Sequence, residues 1–391
     1  MRYGTEGPVA VVGLVPVTPP AVAAAVAAGS AALGTPLTDP VPLAGSARSA
    51  VLRCRDGAGA TVVVKSYPQD DYGAASFAAE AAGLALTGAS GLGPRLLAAD
   101  EASLTVVMSD LGDAPSLADV LLGGSAAAAA AAALLSWAGA LGRLAVHAAY
   151  RESEHARLLA RYLAGRPGNR LLAELGDRIR GVAARAALLG VPEPAGLAAE
   201  LAAVAGLTRA TRYRVFSPGD ACTDNNQVAP DGVRFLDYED AGFHSVFLDA
   251  AYLRMPFSTC WCVFRLPAGL AAEAEADYRS AVCRVHADLT DDAVWQRGVR
   301  QAMAAWTMNS MGWLLNQALA GNAPLSEARP APGARQLLRH RWRVLAAELT
   351  AAGELPALTA LVTDLLAATE SWQVPELGPY PVLRDWPASG D

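Results

Sequence analysis

The spacing of apolar positions divides the chain into two regions of different period. The first opens on a helix capped by Thr18, with Pro19 and Pro20 at its start, running through alanines to Gly34. Short apolar runs follow. Val41 to Ala44 leads into the small-residue loop Gly45-Ser46-Ala47-Arg48, then Ser49 to Arg55, the turn Asp56-Gly57-Ala58-Gly59, and Ala60 to Ser66. This reads as strands joined in a hairpin. A helix is expected from about Tyr72 to Ala89, with Phe77, Glu80 and Leu84 on one face, ended by Gly91 and Gly93-Pro94. Two more strands, Arg95 to Ala99 and Leu104 to Met108, meet at Asp100-Glu101.

From Ser116 the period becomes helical, through Ala118–Leu122, Ser125–Tyr150, Glu154–Ala164, Arg170–Leu188 and Ala195–Val204. A β-like interruption lies between Phe216 and Leu236, after which helices return to about Thr369. The tail from Trp372 to Asp391 is rich in proline and aromatics and is expected to drape over the helical part, with a partner-binding segment as the alternative. The plan is an α+β chain: an N-terminal helical extension (1–37), a small β-rich lobe (38–112), and a large helical lobe (113–391) holding the interruption at 217–240 and the tail at 372–391.

Composition narrows the function classes. The chain has 391 residues, 53% hydrophobic and 18% charged, enough for two or three lobes with real cores. Its formal charge is 31 − 38 = −7, and no basic stretch is interleaved with aromatics, which argues against nucleic acid as a partner. Before its first apolar stretch the N-terminus offers only Arg2, and prolines break that stretch, so it makes a poor signal peptide. The uncharged run from Ser125 to Gly142 approaches membrane-spanning length but is mostly alanine and is followed by Arg143, so a buried core helix is expected and no membrane partner. The cytoplasm is the expected location. Cys54, Cys222, Cys260, Cys262 and Cys283 are odd in number and scattered, which favours buried free thiols over a disulfide framework. The alternative reads Cys260, Cys262, Cys283 and His286 as four zinc ligands, although the first pair is spaced more tightly than is usual.

Two features carry candidate chemistry. Lysine occurs once, at Lys65, closing the β-branched run Thr61 to Val64, while every other basic side chain among the 31 is arginine. A compact ammonium suits phosphate clamping where a planar guanidinium does not; a leftover surface lysine is the alternative. The second feature is the interruption, where Pro230-Asp231-Gly232 is a turn between two short apolar strands. Asn225 and Asp237 stand equally far on either side of Asp231, so an antiparallel hairpin returns both oxygen donors to one end, as Mg²⁺ with phosphate ligands requires. Asp220, just upstream, is placed to accept a proton from a hydroxyl.

Gly219-Asp220, Asn225 and Leu236-Asp237-Tyr238-Glu239 together resemble the catalytic and metal-binding loops of the aminoglycoside phosphotransferase-like (choline kinase-type) family, which has the bilobal protein-kinase-like fold. The resemblance spans roughly 38–255 and implies further roles. Lys65 would contact the nucleotide phosphates and pair with Glu80; Gly45 to Ser49, with Ser46, would cover the phosphates; Met108, Ser109, Asp110 and Leu111 would form the adenine-reading hinge. Asp249 would brace the catalytic loop, and Leu144 to His147 would belong to the helix before it. Pro218 stands where the family has histidine, and the covering loop has a single glycine. The implied cofactors are ATP and Mg²⁺, and the implied reaction is phosphorylation of a small-molecule hydroxyl. A kinase-like enzyme acting on peptide Ser or Thr, or a nucleotide-binding scaffold without turnover, are the alternatives. Asp224, Glu239 and Asp240 are read as solvating the cleft rim or attracting a cationic substrate; His147 as a core histidine, Cys222 as a small filler and Trp261 as core.

Overall fold

The computed structural model describes residues 18–46, 49–123, 125–168 and 171–387. Helix α1 (Pro19–Leu33) precedes strands β1 (Thr38–Ser46), β2 (Ser49–Arg55) and β3 (Thr61–Ser66), helix α2 (Asp71–Thr87), and strands β4 (Leu96–Asp100) and β5 (Thr105–Ser109). The strands form one antiparallel sheet in the order β1-β2-β3-β5-β4. Alternation along the strands gives the sheet two apolar faces. Leu52, Cys54, Val62, Val64 and Val107 pack with Ala25 and Leu37 beneath α1. Val63, Val106 and Met108 face the other way, into the core that contains α2. Lys65 belongs to that second face, and β3 delivers it under α2.

The helical lobe runs through α3 (Leu117–Leu122), α4 (Ala127–His147), α5 (Glu152–Leu163), α6 (Leu171–Arg180), α7 (Val182–Ala187) and α8 (Leu197–Ala205). Two small ribbons follow: β6 (Arg214–Ser217) pairs with β9 (Gly242–Ser245), and between them β7 (Asn226–Ala229) pairs with β8 (Gly232–Phe235). Helices α9 (Val246–Arg254), α10 (Ala268–Val282), α11 (Asp292–Ala320), α12 (Ala334–Ala352) and α13 (Pro356–Ala368) complete the chain's regular elements. The expected stretch Arg170–Leu188 is two helices, because the chain turns at Gly181 between α6 and α7. Among the described residues α4 alone is long and apolar enough to cross a membrane; it is instead packed inside, with Trp137, Leu141 and Leu144 fully or almost fully buried. The architecture is thus the expected α+β class, a small sheet lobe and a large helical lobe.

The lobes are joined by backbone as well as by side chains. Arg53 of β2 grips Asp110 through Nη2 (3.0 Å) and reaches Asp113 through Nη1 (2.7 Å), fixing the connector that follows β5. The connector docks on the β7–β8 ribbon: Gln227 Nε2 donates to Gly112 O (2.8 Å) and Val228 N to Pro115 O (2.8 Å). Phe235 N donates to Leu92 O (2.8 Å), tying β8 to the loop after α2. The tail does pack on the helical lobe. Leu377, Tyr380 and Leu383 are buried, and Tyr380 OH donates to Cys262 O at 2.9 Å.

Close packing of α1 on the sheet makes a test. A Cβ at Gly29 would sit 3.0 Å from both Leu37 Cδ1 and Val64 Cγ2, next in sequence to Lys65. Gly29→Leu improves helix propensity but overpacks this contact, so we expect it to destabilise the fold by about 1–3 kcal/mol. Thermal or denaturant unfolding reads the change; an unchanged or raised midpoint would show that α1 does not hold the sheet in this way.

Candidate active site

Lys65 is the centre of a buried charge cluster between the lobes. Its Nζ donates to Glu80 Oε2 (2.9 Å) and to Asp237 Oδ1 (2.7 Å), and Glu239 Oε2 lies at 3.4 Å. Glu80 is 0% exposed, and the same Oε2 accepts from Tyr67 OH (2.9 Å) and Tyr238 N (3.2 Å). Sheet and α2 position the first pair, and the segment after β8 positions the second, so one ammonium spans both lobes. Its partners hold the Lys65 pKa well above the ordinary value, against burial, which pushes it down. Burial pushes Glu80 up to about 7 despite Lys65, whereas Asp237, also resisting burial, is held below the ordinary carboxylate range by Lys65. The cluster holds three carboxylates against one ammonium, an excess of negative charge even with Glu80 half protonated near pH 7.

The β7–β8 ribbon has the turn expected at Pro230-Asp231, with Ala229 opposite Gly232 and Asn226 opposite Phe235. Leu236 N donates to Asn225 O (2.9 Å), so Asn225 and Asp237 emerge at one end. The Asn225 amide is turned by Nδ2 donating to Asp220 O (3.1 Å), which leaves its Oδ1 without a partner among the described residues. Hard oxygen donors beside an excess of negative charge fit a divalent cation such as Mg²⁺.

Asp220 follows Gly219, whose φ is +90° and where a Cβ would sit 2.1 Å from Asp240 O, so only glycine fits this turn. Thr259 Oγ1 donates to Asp220 Oδ1 (2.6 Å). Burial pushes the Asp220 carboxyl up to about 7; the Thr259 hydrogen bond opposes the rise, and Asp224, Asp240 and Asp237 add to it. Behind the loop, Asp249 accepts from Ser217 Oγ (2.9 Å) and Tyr278 OH (3.2 Å) and bonds His244 Nε2 at 2.9 Å. Gly219 N donates to Ser217 Oγ (3.2 Å), so this cluster reaches the turn that carries Asp220. Asp249 thus sits behind the Ser217–Asp220 turn, and His244 is its imidazole neighbour.

Several expectations need correction. Cys222 and Cys260 form a disulfide, so neither is a free thiol and Cys222 is no mere filler; Cys54, Cys262 and Cys283 are the free cysteines. Folding brings the catalytic loop against the loop after α9, a contact that the 38-residue separation in sequence hides. Cys262 Sγ lies 3.0 Å from Cys260 Sγ and 2.8 Å from Thr223 Oγ1. The proposed zinc quartet does not assemble. Cys283 caps α10, and His286 Nε2 is bonded to Arg214 O (3.0 Å), so only Cys260 and Cys262 of the four meet. Trp261 packs at the edge of the core: half-buried, its Nε1 donates to Asp224 Oδ2 (3.0 Å) and its ring lies 5.7 Å from the Arg329 guanidinium.

The covering loop and hinge are placed only in part. Gly45 and Ser46 pair with Ala50 and Ser49, while Ala47 and Arg48 lie outside the described residues. Met108 is a buried strand residue; Ser109 N donates to Arg95 O and Ser109 Oγ accepts from Arg95 N, both at 2.9 Å. The Asp110 carboxylate is engaged by Arg53 and Gly112 N, so of the hinge side chains Ser109 and Asp110 serve the connector. Thr259, Tyr67 and Tyr252 were missed, since no local pattern marks them; for Thr259, its place just before Cys260 was the one available hint.

No protein-family model matches the chain, and no curated protein matches it. Solved structures of similar outline include a putative aminoglycoside phosphotransferase from Ralstonia eutropha (15% identity, TM-score 0.49, covering 84% of this chain and 93% of that one). A putative fructosamine-3-kinase from Thermobifida fusca is 17% identical with a TM-score of 0.48, covering 82% and 98%. Choline kinase from Cryptosporidium parvum is 12% identical with a TM-score of 0.47, covering 83% and 93%. The likeness is one of outline, and no residue's role is taken from it.

The disulfide predicts that alkylation of the unreduced, denatured chain labels Cys54, Cys262 and Cys283 only, and that reduction exposes Cys222 and Cys260. Reduction should also lower stability by about 2–4 kcal/mol. Mass spectrometry showing all five cysteines labelled without reductant would refute the bond.

Proposed function

We propose that this chain is an ATP- and Mg²⁺-dependent phosphotransferase acting on a hydroxyl of a small molecule. The observation that carries the reading is the cluster in which Lys65 Nζ is shared by Glu80 Oε2 (2.9 Å) and Asp237 Oδ1 (2.7 Å), in the same site as Asp220. Phosphoryl transfer needs positioning and charge stabilisation more than covalent chemistry, and these residues supply both. Asn225 and Asp237 would hold the metal, which when bound neutralises charge on the transferring phosphates. Lys65, freed from Asp237 as phosphate enters and still held by Glu80, gives a point charge to the nucleotide. Asp220 accepts the proton of the acceptor hydroxyl as its oxygen bonds to the γ-phosphorus, while the bond from that phosphorus to the ADP oxygen breaks. Thr259 orients the accepting carboxylate.

The carboxyl of Asp220 must be ionised to accept the proton. Because it titrates near 7, kcat/KM should rise with pH through about 7 and level off above it. The linkage sign follows. A folded-state pKa raised above the unfolded carboxylate value stabilises the fold fully below that unfolded value, and this contribution is lost as pH rises through 7. Asp220→Asn removes the ionisation, so it should abolish the rise and cut kcat by about 10²- to 10⁴-fold without lowering the Tm or the affinity for Mg·ADP. Wild-type-like turnover in that variant would sink the assignment.

Lys65→Arg tests the clamp. A guanidinium is wider than the space among three carboxylates within 3.4 Å of Nζ, and it cannot present the same point charge. Turnover should fall by at least about tenfold, with Asp220 unaltered. Full activity with arginine would remove Lys65 from the mechanism. Cytoplasmic residence is proposed with one condition. Disulfides are rare in that reducing compartment, so in trapped cell extracts the Cys222–Cys260 pair should be reduced, the bond forming on oxidation of the purified chain; a disulfide trapped in the extract would place the protein elsewhere.

A further inference from the structure

Arg341 on α12 is 0% exposed, and its Nε, Nη1 and Nη2 have no hydrogen-bond partner among the described residues. Other largely buried arginines of the helical lobe are paired with carboxylates. Arg254 makes a two-pronged bond to Glu275 (2.6 and 2.5 Å), and Arg300 does the same with Glu354 (3.0 and 2.6 Å). Arg341 has only the Trp313 ring, 5.8 Å from its guanidinium carbon. Its helix neighbour His340 adds no compensating charge; burial pushes that imidazole down to about 4. Burial also pulls Arg341 down, to about 9, which leaves it a cation at neutral pH. A buried charge without partners is costly, and a guanidinium is the side chain best shaped to receive a carboxylate or phosphate.

Its place in the fold gives that vacancy a meaning. The charges of Asp220, Asp249 and Arg341 all bear on the Tyr252 phenol of α9. Tyr252 OH and Thr259 Oγ1 are hydrogen-bonded at 2.9 Å, and Thr259 Oγ1 donates to Asp220 Oδ1 at 2.6 Å. Two hydrogen bonds therefore join the Tyr252 phenol, which feels the Arg341 charge, to the proposed proton acceptor. Trp313, which covers Arg341, is half-buried on α11, two turns beyond Trp306, whose ring packs 5.5 Å from Tyr252.

We propose that Arg341 is a specificity-determining residue of the acceptor site: the compound whose hydroxyl meets Asp220 also carries an anionic group, a carboxylate or a phosphate ester, which Arg341 binds. The guanidinium is buried beside the Trp313 ring, so entry of the anion goes with a swing of that ring. The inference names the acceptor class for the phosphotransferase proposed above and rests on that reading.

The test uses the full chain, with Arg341→Met and Arg341→Lys beside wild type. Thermal shifts are recorded with hydroxy acids, hydroxylated phosphate esters, neutral polyols and amino alcohols, and with Mg·ADP as a control; ADP release from Mg·ATP is measured with the same compounds. Hydroxy acids or phosphate esters should stabilise wild type and serve as acceptors, the two arms telling carboxylate from phosphate. Arg341→Met should weaken them by about 10- to 100-fold, seen as a raised KM, and Arg341→Lys should recover part of the loss. Mg·ADP binding should be unchanged, and the Met variant, relieved of an unpaired charge, should melt at the same temperature as wild type or higher. Arg341→Met melting far below wild type would make the residue structural and overturn the proposal. So would turnover confined to neutral or cationic acceptors, which leaves the phosphotransferase standing, or the absence of any anion-dependent shift. Anion binding lost in Arg341→Met but with no ATP consumption on any compound would keep the anion site and remove the phosphotransferase.

Discussion

The Lys65 ammonium is the interaction on which the rest of the arrangement depends. It is contributed by the sheet, fixed by a glutamate on α2, and bonded across the cleft to an aspartate from the helical lobe. Without it, Glu80, Asp237 and Glu239 would place three carboxylates in a space with little water. With it, an excess of negative charge remains, which under the proposed function suits a divalent cation. The bond to Asp237 is a lobe-to-lobe tie, and under the same proposal it is also the contact that nucleotide phosphate would take over.

The same logic of incomplete compensation runs through the helical lobe, in mirror image. Asp220 is a carboxylate whose burial favours its protonated form, and Arg341 is a cation whose burial weakens its charge. Neither is optimised for stability. A core designed only to persist would pair them or replace both with apolar groups. The charges of both bear on the Tyr252 phenol, which Thr259 joins to Asp220, and neither is neutralised there. Opposite charges held apart across a hydroxyl relay suit a ligand with a proton to lose at one end and negative charge at the other.

What the sequence made legible was whatever is encoded locally. The two periods gave the sheet lobe and the helical lobe, the Pro230-Asp231 turn fixed the register that brings Asn225 beside Asp237, and the helical phase of Glu80 put it with Phe77 on the inward face of α2. Contacts between distant loops were not legible. The Cys222–Cys260 bond, the Thr259 hydroxyl on Asp220 and the Trp261 indole on Asp224 all arise where the segment after α9 folds over the catalytic loop. No period governs that segment, and an odd count of scattered cysteines argued the wrong way. Arg341 was hidden for the opposite reason: in a chain whose cations are almost all arginine, composition gives no signal that one of them is buried.

These long-range contacts explain how a short irregular loop keeps Asp220 in place. Ser217 and the Gly219 amide are anchored from behind by Asp249, itself held by His244 and Tyr278. Cys222 is bonded to the loop after α9, and Thr259 of that same loop reaches the carboxylate. The tail then closes over this second loop, with Tyr380 on Cys262 O and between the rings of Phe257 and Phe264. Asp220 is thus braced from two sides by segments far apart in sequence. Such rigidity is what the proposed role as a positioned base requires, and here the tail supplies part of it.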